Sequence, residues 1–259
     1  MEALDYQSEI KAGWFGKALP SLCFYSRLFL SIVLRASLLA KRGAYHGKEW
    51  AASSGEVVSS LERVGVRFEV TGLDHFRRLT GPCVCIANHM SMLETITLPY
   101  FMQPIHPITF VIKESLLHYP MFKYVMRSCH PVAVSRSNPR QDLKTVLEEG
   151  GQRLAAGLSV IIFPQTTRSR FFDPEQMSSI GVKLAKSAAV PVLPLALKTD
   201  AMANGAIIKE LGKIHPERTA HFAFAPPLAI SGNGRDEHRA INAFILEKLD
   251  SWGAPRLTA

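Results

Sequence analysis

At 259 residues and 47% hydrophobic, the chain can bury a full core and fits one large domain. Its formal charge of +8 and sequence pI of about 9.4 ask for an anionic partner. The sequence has no aromatic-interleaved basic stripe, zinc-ligand spacing or RNP-like segment, so nucleic acid is set aside in favour of an anionic membrane surface.

The mixed-charge start lacks the basic-then-apolar opening of a secretory signal. Residues 1–60 read as a helical, membrane-interface segment, broken near residues 43–47 and again near 53–55, and residues 61–259 as the main domain. Within 19–40, Arg27 and Arg35 interrupt a very apolar stretch, so no uncharged run reaches the ~18 residues of a spanning helix. Arg27, Ser31 and Arg35 recur every four residues as a polar stripe, opposite Phe29, Ile32, Val33, Ala36 and Leu39. That pattern predicts a helix lying in the headgroup plane, with Trp14, Phe15, Phe24 and Tyr25 at the boundary and Lys11, Lys17, Lys41 and Arg42 near phosphates. It also fits an amphipathic helix packed on the domain, or a tilted span with snorkelling arginines.

Beyond residue 60 the periodicity alternates. Strands are predicted at 66–70, 83–87, 108–112, 131–134, 159–163, 192–197 and 219–225. Helices are predicted at 91–101, 115–126 with Pro120 inside it, 141–156, 174–188 and 236–252. The alternation implies an α/β fold with a largely parallel central sheet flanked by helices. The four cysteines, Cys23, Cys83, Cys85 and Cys129, contain no CxxC pair and read as buried, reduced thiols.

Two strand ends carry the chemistry. After the run at 84–87 come Asn88-His89-Met90-Ser91-Met92-Leu93-Glu94, and after that at 160–163 come Pro164-Gln165-Thr166-Thr167-Arg168-Ser169. Sites in open α/β sheets gather beyond the carboxyl ends of strands. His89 can take a proton from an alcohol and return it, and a carboxylate on its far nitrogen would fix the tautomer. Glu94 reaches His89 only if the histidine lies in the turn before a helix and the glutamate in its first turn. Ser91 to Glu94 is equally a capping box, which leaves Glu94 a purely structural alternative. Arg168 offers a two-pronged hold on phosphate, with Gln165, Thr166, Thr167 and Ser169 as neighbouring donors. Lys113 and Arg136 follow two further strands, so three cations lie beyond three strand ends. A polar loop with a solvated arginine is the competing reading for each one alone.

Together these segments resemble the phospholipid/glycerol acyltransferase family, which includes the bacterial 1-acylglycerol-3-phosphate acyltransferases. Residues Asn88 to Glu94 resemble its Asn-His-x-Ser-x-x-Asp block, and Phe163 to Ser169 its Phe-Pro-Glu-Gly-Thr-Arg-Ser block. Val132 to Arg136 and Val190 to Leu195 resemble its two weaker blocks, in the same order. The departures are Glu94 for Asp and Gln165-Thr166 for Glu-Gly, and they bear on the acceptor. The resemblance implies transfer of a fatty acyl group from acyl-CoA or acyl carrier protein, as co-substrate, to the free hydroxyl of a lysophospholipid, foremost 1-acylglycerol-3-phosphate. It implies His89 as base, Glu94 as its orienter, and Arg168, Arg136 and Lys113 on the phosphate, with no metal and no resident cofactor. It further implies a peripheral or monotopic place on the cytoplasmic face of the inner membrane. The alternatives are an amino-lipid acceptor, or a catalytically inactive lipid-binding member.

Overall fold

A computed structural model describes residues 4–9, 13–119, 122–165, 167–206 and 208–255. Lys11, Pro120 and Thr166, and the side chain of Phe15, lie outside what it describes.

Eight strands form one sheet: β1 (Leu4–Gln7), β2 (Arg67–Thr71), β3 (Val84–Ala87), β4 (Ile108–Lys113), β5 (Val132–Val134), β6 (Ser159–Ile162), β7 (Val192–Lys198) and β8 (Thr219–Phe224). Their spatial order is β1-β2-β8-β7-β3-β6-β4-β5. From β7 to β5 every neighbouring pair is parallel, whereas β8 runs antiparallel to β7 and β1 antiparallel to β2. The sheet is therefore mixed, with its parallel part where the site lies. β3, β6 and β7 are buried at every residue, as strands covered on both faces must be, which explains their unbroken apolar runs.

Alternate residues serve two cores. Cys85 and Ala87 of β3, with Leu193, Leu195 and Leu197 of β7, face a core shared with the helices Pro20–Lys41, Gly47–Arg63 and Leu93–Met102. Val84 and Ile86, with Val192 and Ala196, face the core under the helices Pro139–Ala155, Ile180–Ala188 and Arg235–Ser251. This strict period of two makes three layers, helix on sheet on helix.

The N-terminal region departs from the helical reading at two places. Leu4–Gln7 is an edge strand, and Tyr6 and Ser8 fix it by donating to Glu62 at 2.7 and 2.6 Å. The predicted break at 53–55 lies inside an unbroken helix, Gly47–Arg63. Its Ser and Gly residues instead allow close helix packing. The Ser54 hydroxyl donates to Ile96 O (2.7 Å) and accepts from Tyr100 N (3.0 Å), filling the ladder beside Pro99. A Cβ on Gly55 would lie 2.8 Å from the Tyr100 ring, so the ring rests where only hydrogen fits.

The long N-terminal helix, Pro20–Lys41, is apolar and long enough to cross a bilayer on length and composition alone. It passes through a π-helical turn at Leu28–Val33. Its inner face, Phe24, Leu28, Ile32, Val33 and Ala36, is buried on the domain, so Ile32, Val33 and Ala36 follow the alternative of an amphipathic helix packed on the domain and do not face the headgroup plane. The exposed apolar residues are a different set: Leu22, Leu30, Leu34 and Leu38, continued by Trp14 and Leu19. The predicted helix 115–126 is split into a 3-10 turn, Glu114–His118, and a helix, Lys123–Ser128. Tyr119 between them is extended, as a residue before proline must be. The helix predicted from 174 likewise begins as a 3-10 turn, Pro174–Gln176, and resumes only at Ile180.

Candidate active site

β3, β6, β4 and β5 lie side by side in that order, so their carboxyl ends present His89, the 163–169 turn, Lys113 and Arg136 along one edge. A cavity of about 730 Å³ opens there. His89, Lys113, Arg136, Thr167 and Arg168 all line it.

The two central segments are stitched together through backbone. Gln165 Oε1 accepts from His89 N at 2.6 Å, and Ser169 N donates to His89 O at 2.9 Å. Gln165 is thus turned to the histidine's main chain, and neither it nor Ser169 is among the residues lining the cavity. The Ser169 hydroxyl accepts from Phe171 N (3.1 Å), a local turn bond. These two residues shape the loop: Gln165 Oε1 and the Ser169 hydroxyl each accept from a backbone N–H.

His89 is 6% exposed and its Nδ1 lies 2.9 Å from Glu94 Oε1. A carboxylate here makes Nδ1 the donor and leaves Nε2 as the basic nitrogen. The ring stacks on Phe163 (4.4 Å, 17°), Phe163 on Phe110 (6.1 Å), and Phe110 meets Trp50 edge-on, so an aromatic row runs from the imidazole into the cavity wall.

Glu94 is fully buried and has donors on both oxygens. Oε1 accepts from His89 Nδ1, Met90 N (2.7 Å) and Ser91 N (2.9 Å). Oε2 accepts from Thr199 Oγ1 at 2.5 Å and lies 3.0 Å from Ser91 Oγ. Burial pushes this carboxyl up, but His89, Thr199 and Ser91 together outweigh it and hold it below the ordinary carboxylate value. Glu94 accepts from Ser91 N and reaches His89 because both residues precede the helix Leu93–Met102, but the full capping box expected from Ser91 does not form: the N-cap is Met92, and Ser91 Oγ accepts from Leu93 N (3.0 Å). Asn88 ties the end of β3 to β7 by bonding Leu197 N (2.8 Å) and Leu197 O (2.7 Å).

Arg168 donates from Nη2 to Glu210 Oε1 at 3.0 Å, while its buried Nη1 has no hydrogen-bond partner among the described residues. An unsatisfied guanidinium nitrogen beside a cavity is a ready anion donor. Arg136 stands at φ 62, a left-handed pose that costs a non-glycine residue energy. Asp142 holds it there by accepting from Ser135 N (2.9 Å) and Arg136 N (2.8 Å). Partial withdrawal from water and then the charge of Arg168 lower the Arg136 value, and both residues line the one cavity. Lys113 is exposed at the end of β4, and Lys209 reaches Thr167 Oγ1 at 3.4 Å.

Much of the remaining wall is apolar. Leu28, Ile32, Val33 and Ala36 come from the first long helix, Trp50 and Val57 from the second, and Met92 and Ile96 from the helix after His89. Sequence reasoning missed Thr199, Glu210 and these wall residues. Only a pairing of β7 with β3, invisible in local pattern, brings Thr199 to the carboxylate.

A sequence model of the Acyltransferase family matches residues 67–198. The 1-acyl-sn-glycerol-3-phosphate acyltransferase of Pseudomonas aeruginosa is 36% identical over 132 residues, 51% of this chain and 49% of that protein. The Escherichia coli protein of the same name is 26% identical over 170 residues, 63% of each. The crystal structure of the 1-acyl-sn-glycerophosphate (LPA) acyltransferase PlsC from Thermotoga maritima aligns with a TM-score of 0.70 at 18% identity, covering 93% of this chain and 98% of that one. That structural likeness is one of fold. The matched region spans about half of the Pseudomonas protein and under two thirds of the Escherichia one.

Proposed function

The chain belongs to the acyltransferase family, and from that premise we propose that it moves a fatty acyl group from a thioester to the free hydroxyl of a lysophospholipid, 1-acylglycerol-3-phosphate first. One observation carries the reading: the buried His89–Glu94 pair and the Arg136–Arg168 cations open on the same apolar-walled cavity. A base needs the hydroxyl, a clamp needs the phosphate, and the acyl chain needs an unhydrated channel; each requirement meets a feature of that cavity.

In this mechanism Arg168 and Arg136 hold the acceptor phosphate, and Lys113 adds charge at the rim. His89 Nε2 takes the hydroxyl proton as the oxygen attacks the thioester carbonyl. Glu94 fixes the tautomer and stabilises the imidazolium. A donor at Thr167, which lines the cavity, serves the developing oxyanion, such a donor being worth ~3–4 kcal/mol elsewhere. The C–S bond then breaks, the imidazolium returns its proton to the thiolate, and the new ester and a free thiol leave. Acyl-CoA or acyl carrier protein serves as donor. The exposed leucines of the N-terminal helix rest in an anionic membrane surface, on the cytoplasmic face of the inner membrane, where the lysolipid lies.

The test is thiol release from acyl-CoA that depends on added 1-acylglycerol-3-phosphate. Wild type should turn over, and His89→Ala should lose about 10³-fold in kcat while keeping its melting temperature. Turnover by His89→Ala at the wild-type rate would end the mechanism. Wild type that binds lysolipid yet releases no thiol with either donor would leave the lipid-binding role instead.

A further inference from the structure

Glu94 is the longer of the two carboxylate side chains, with one more rotatable bond than an aspartate would have. A carboxylate with an additional torsion has more ways to turn away from the imidazole, so it needs an anchor on the oxygen that does not face the histidine. That anchor is present. Glu94 Oε2 accepts from Thr199 Oγ1 at 2.5 Å, and Ser91 Oγ lies 3.0 Å from both Oε2 and Thr199 Oγ1. All three residues are buried, at 0%, 0% and 1% exposure for Glu94, Thr199 and Ser91, so no water competes for these bonds.

The anchor is itself braced from outside the helix that carries Glu94. Thr199 follows β7 directly, and Asn88 locks β7 to β3 two residues earlier through both backbone groups of Leu197. The next residue, Asp200, pairs with Lys198 (3.1 Å) and with Arg218 (3.4 Å), and Arg218 also donates to Asp200 O (3.1 Å). This partly buried charge cluster has no role in the proposed chemistry, yet it fixes the turn on which Thr199 sits. The side chain of Thr199 therefore arrives at Glu94 on a rigid mount.

We propose that Thr199 is a positioning residue matched to Glu94, whose hydroxyl holds the carboxylate in the orientation that keeps Oε1 on His89 Nδ1. The inference rests on the acyl-transfer reading but adds to it a residue outside the four family-like segments. It makes Glu94 and Thr199 one unit: a shortened carboxylate at position 94 draws back from Thr199 and loses its benefit.

The experiment compares Thr199→Val, Thr199→Ser, Glu94→Asp and the Glu94→Asp/Thr199→Val pair in full-length protein, with melting temperatures as a check on folding. Thr199→Val keeps the shape and removes the donor. Its kcat should fall about tenfold to a hundredfold, the usual cost of removing a carboxylate's outer partner, with KM changed less than about twofold. Thr199→Ser should recover most of that loss. Glu94→Asp should lower kcat alone but add little to Thr199→Val, since the two act on one contact. A His89 Nδ1–H proton resonance is expected of wild type; it should shift or broaden in Thr199→Val and return in Thr199→Ser. Unchanged kcat and an unchanged resonance in a folded Thr199→Val overturn the proposal, as does Thr199→Ser behaving like Thr199→Val. The resonance is read without turnover, so a wild type that fails to transfer acyl groups condemns the functional reading while this assignment is still decided.

Discussion

Glu94 accepts from two backbone N–H groups of its own turn and from an imidazole and a hydroxyl beyond it. Its carboxyl is held below its ordinary value of 4.5 despite complete burial, because burial is outweighed by His89, Thr199 and Ser91. A depressed folded value stabilises the protein above the unfolded one and is lost as pH falls through the folded value. Wild type should therefore lose stability as pH drops below about 4.5, and Glu94→Gln should lose less over the same range. At pH 7 the amide should already cost about 2–3 kcal/mol, because it offers a donor to groups that are donors themselves. Denaturant unfolding from pH 7 to pH 2 measures both; equal acid slopes in the two proteins would contradict the role given to this carboxylate. The sequence made the His89–Glu94 pairing legible, since five residues can span a turn and the first turn of a helix. It could not reveal Thr199, whose approach depends on β7 lying against β3.

At the scale of elements, the buried strands were legible and the N-terminal region less so. Runs such as Val84-Cys85-Ile86-Ala87 have one physical use, a strand covered on both sides. The helix Pro20–Lys41 is apolar on two sides, and periodicity alone cannot say which side finds the protein. Packing decides it: Leu28, Ile32 and Val33 close the cavity, and Leu22, Leu30 and Leu34 stay outside. Leu30→Ser with Leu34→Ser should thus weaken binding to anionic vesicles by about 2 kcal/mol per residue, with the melting temperature unchanged. Vesicle cosedimentation reads this directly. Undiminished binding by the double variant would move the membrane contact to another surface. Leu4–Gln7 escaped prediction because four residues at a sheet edge carry too short an alternation to register.

Across the whole molecule, strand order does what no single motif can. β6 lies between β3 and β4, with β5 beyond, so residues distant in sequence arrive at one sheet edge: His89, Arg168, Lys113 and Arg136. The motifs singled out these residues, and the strand order explains why they share a cavity. The N-terminal helices supply the part of its apolar wall that the 67–198 family match does not reach. The central claim is that an imidazole and a guanidinium act on one acceptor. Steady-state kinetics of Arg168→Lys with 1-acylglycerol-3-phosphate tests it most directly. Lysine keeps the charge but not the fork, so KM for the acceptor should rise about tenfold while KM for the acyl donor holds and kcat changes little. An acceptor KM equal to that of wild type would contradict the account.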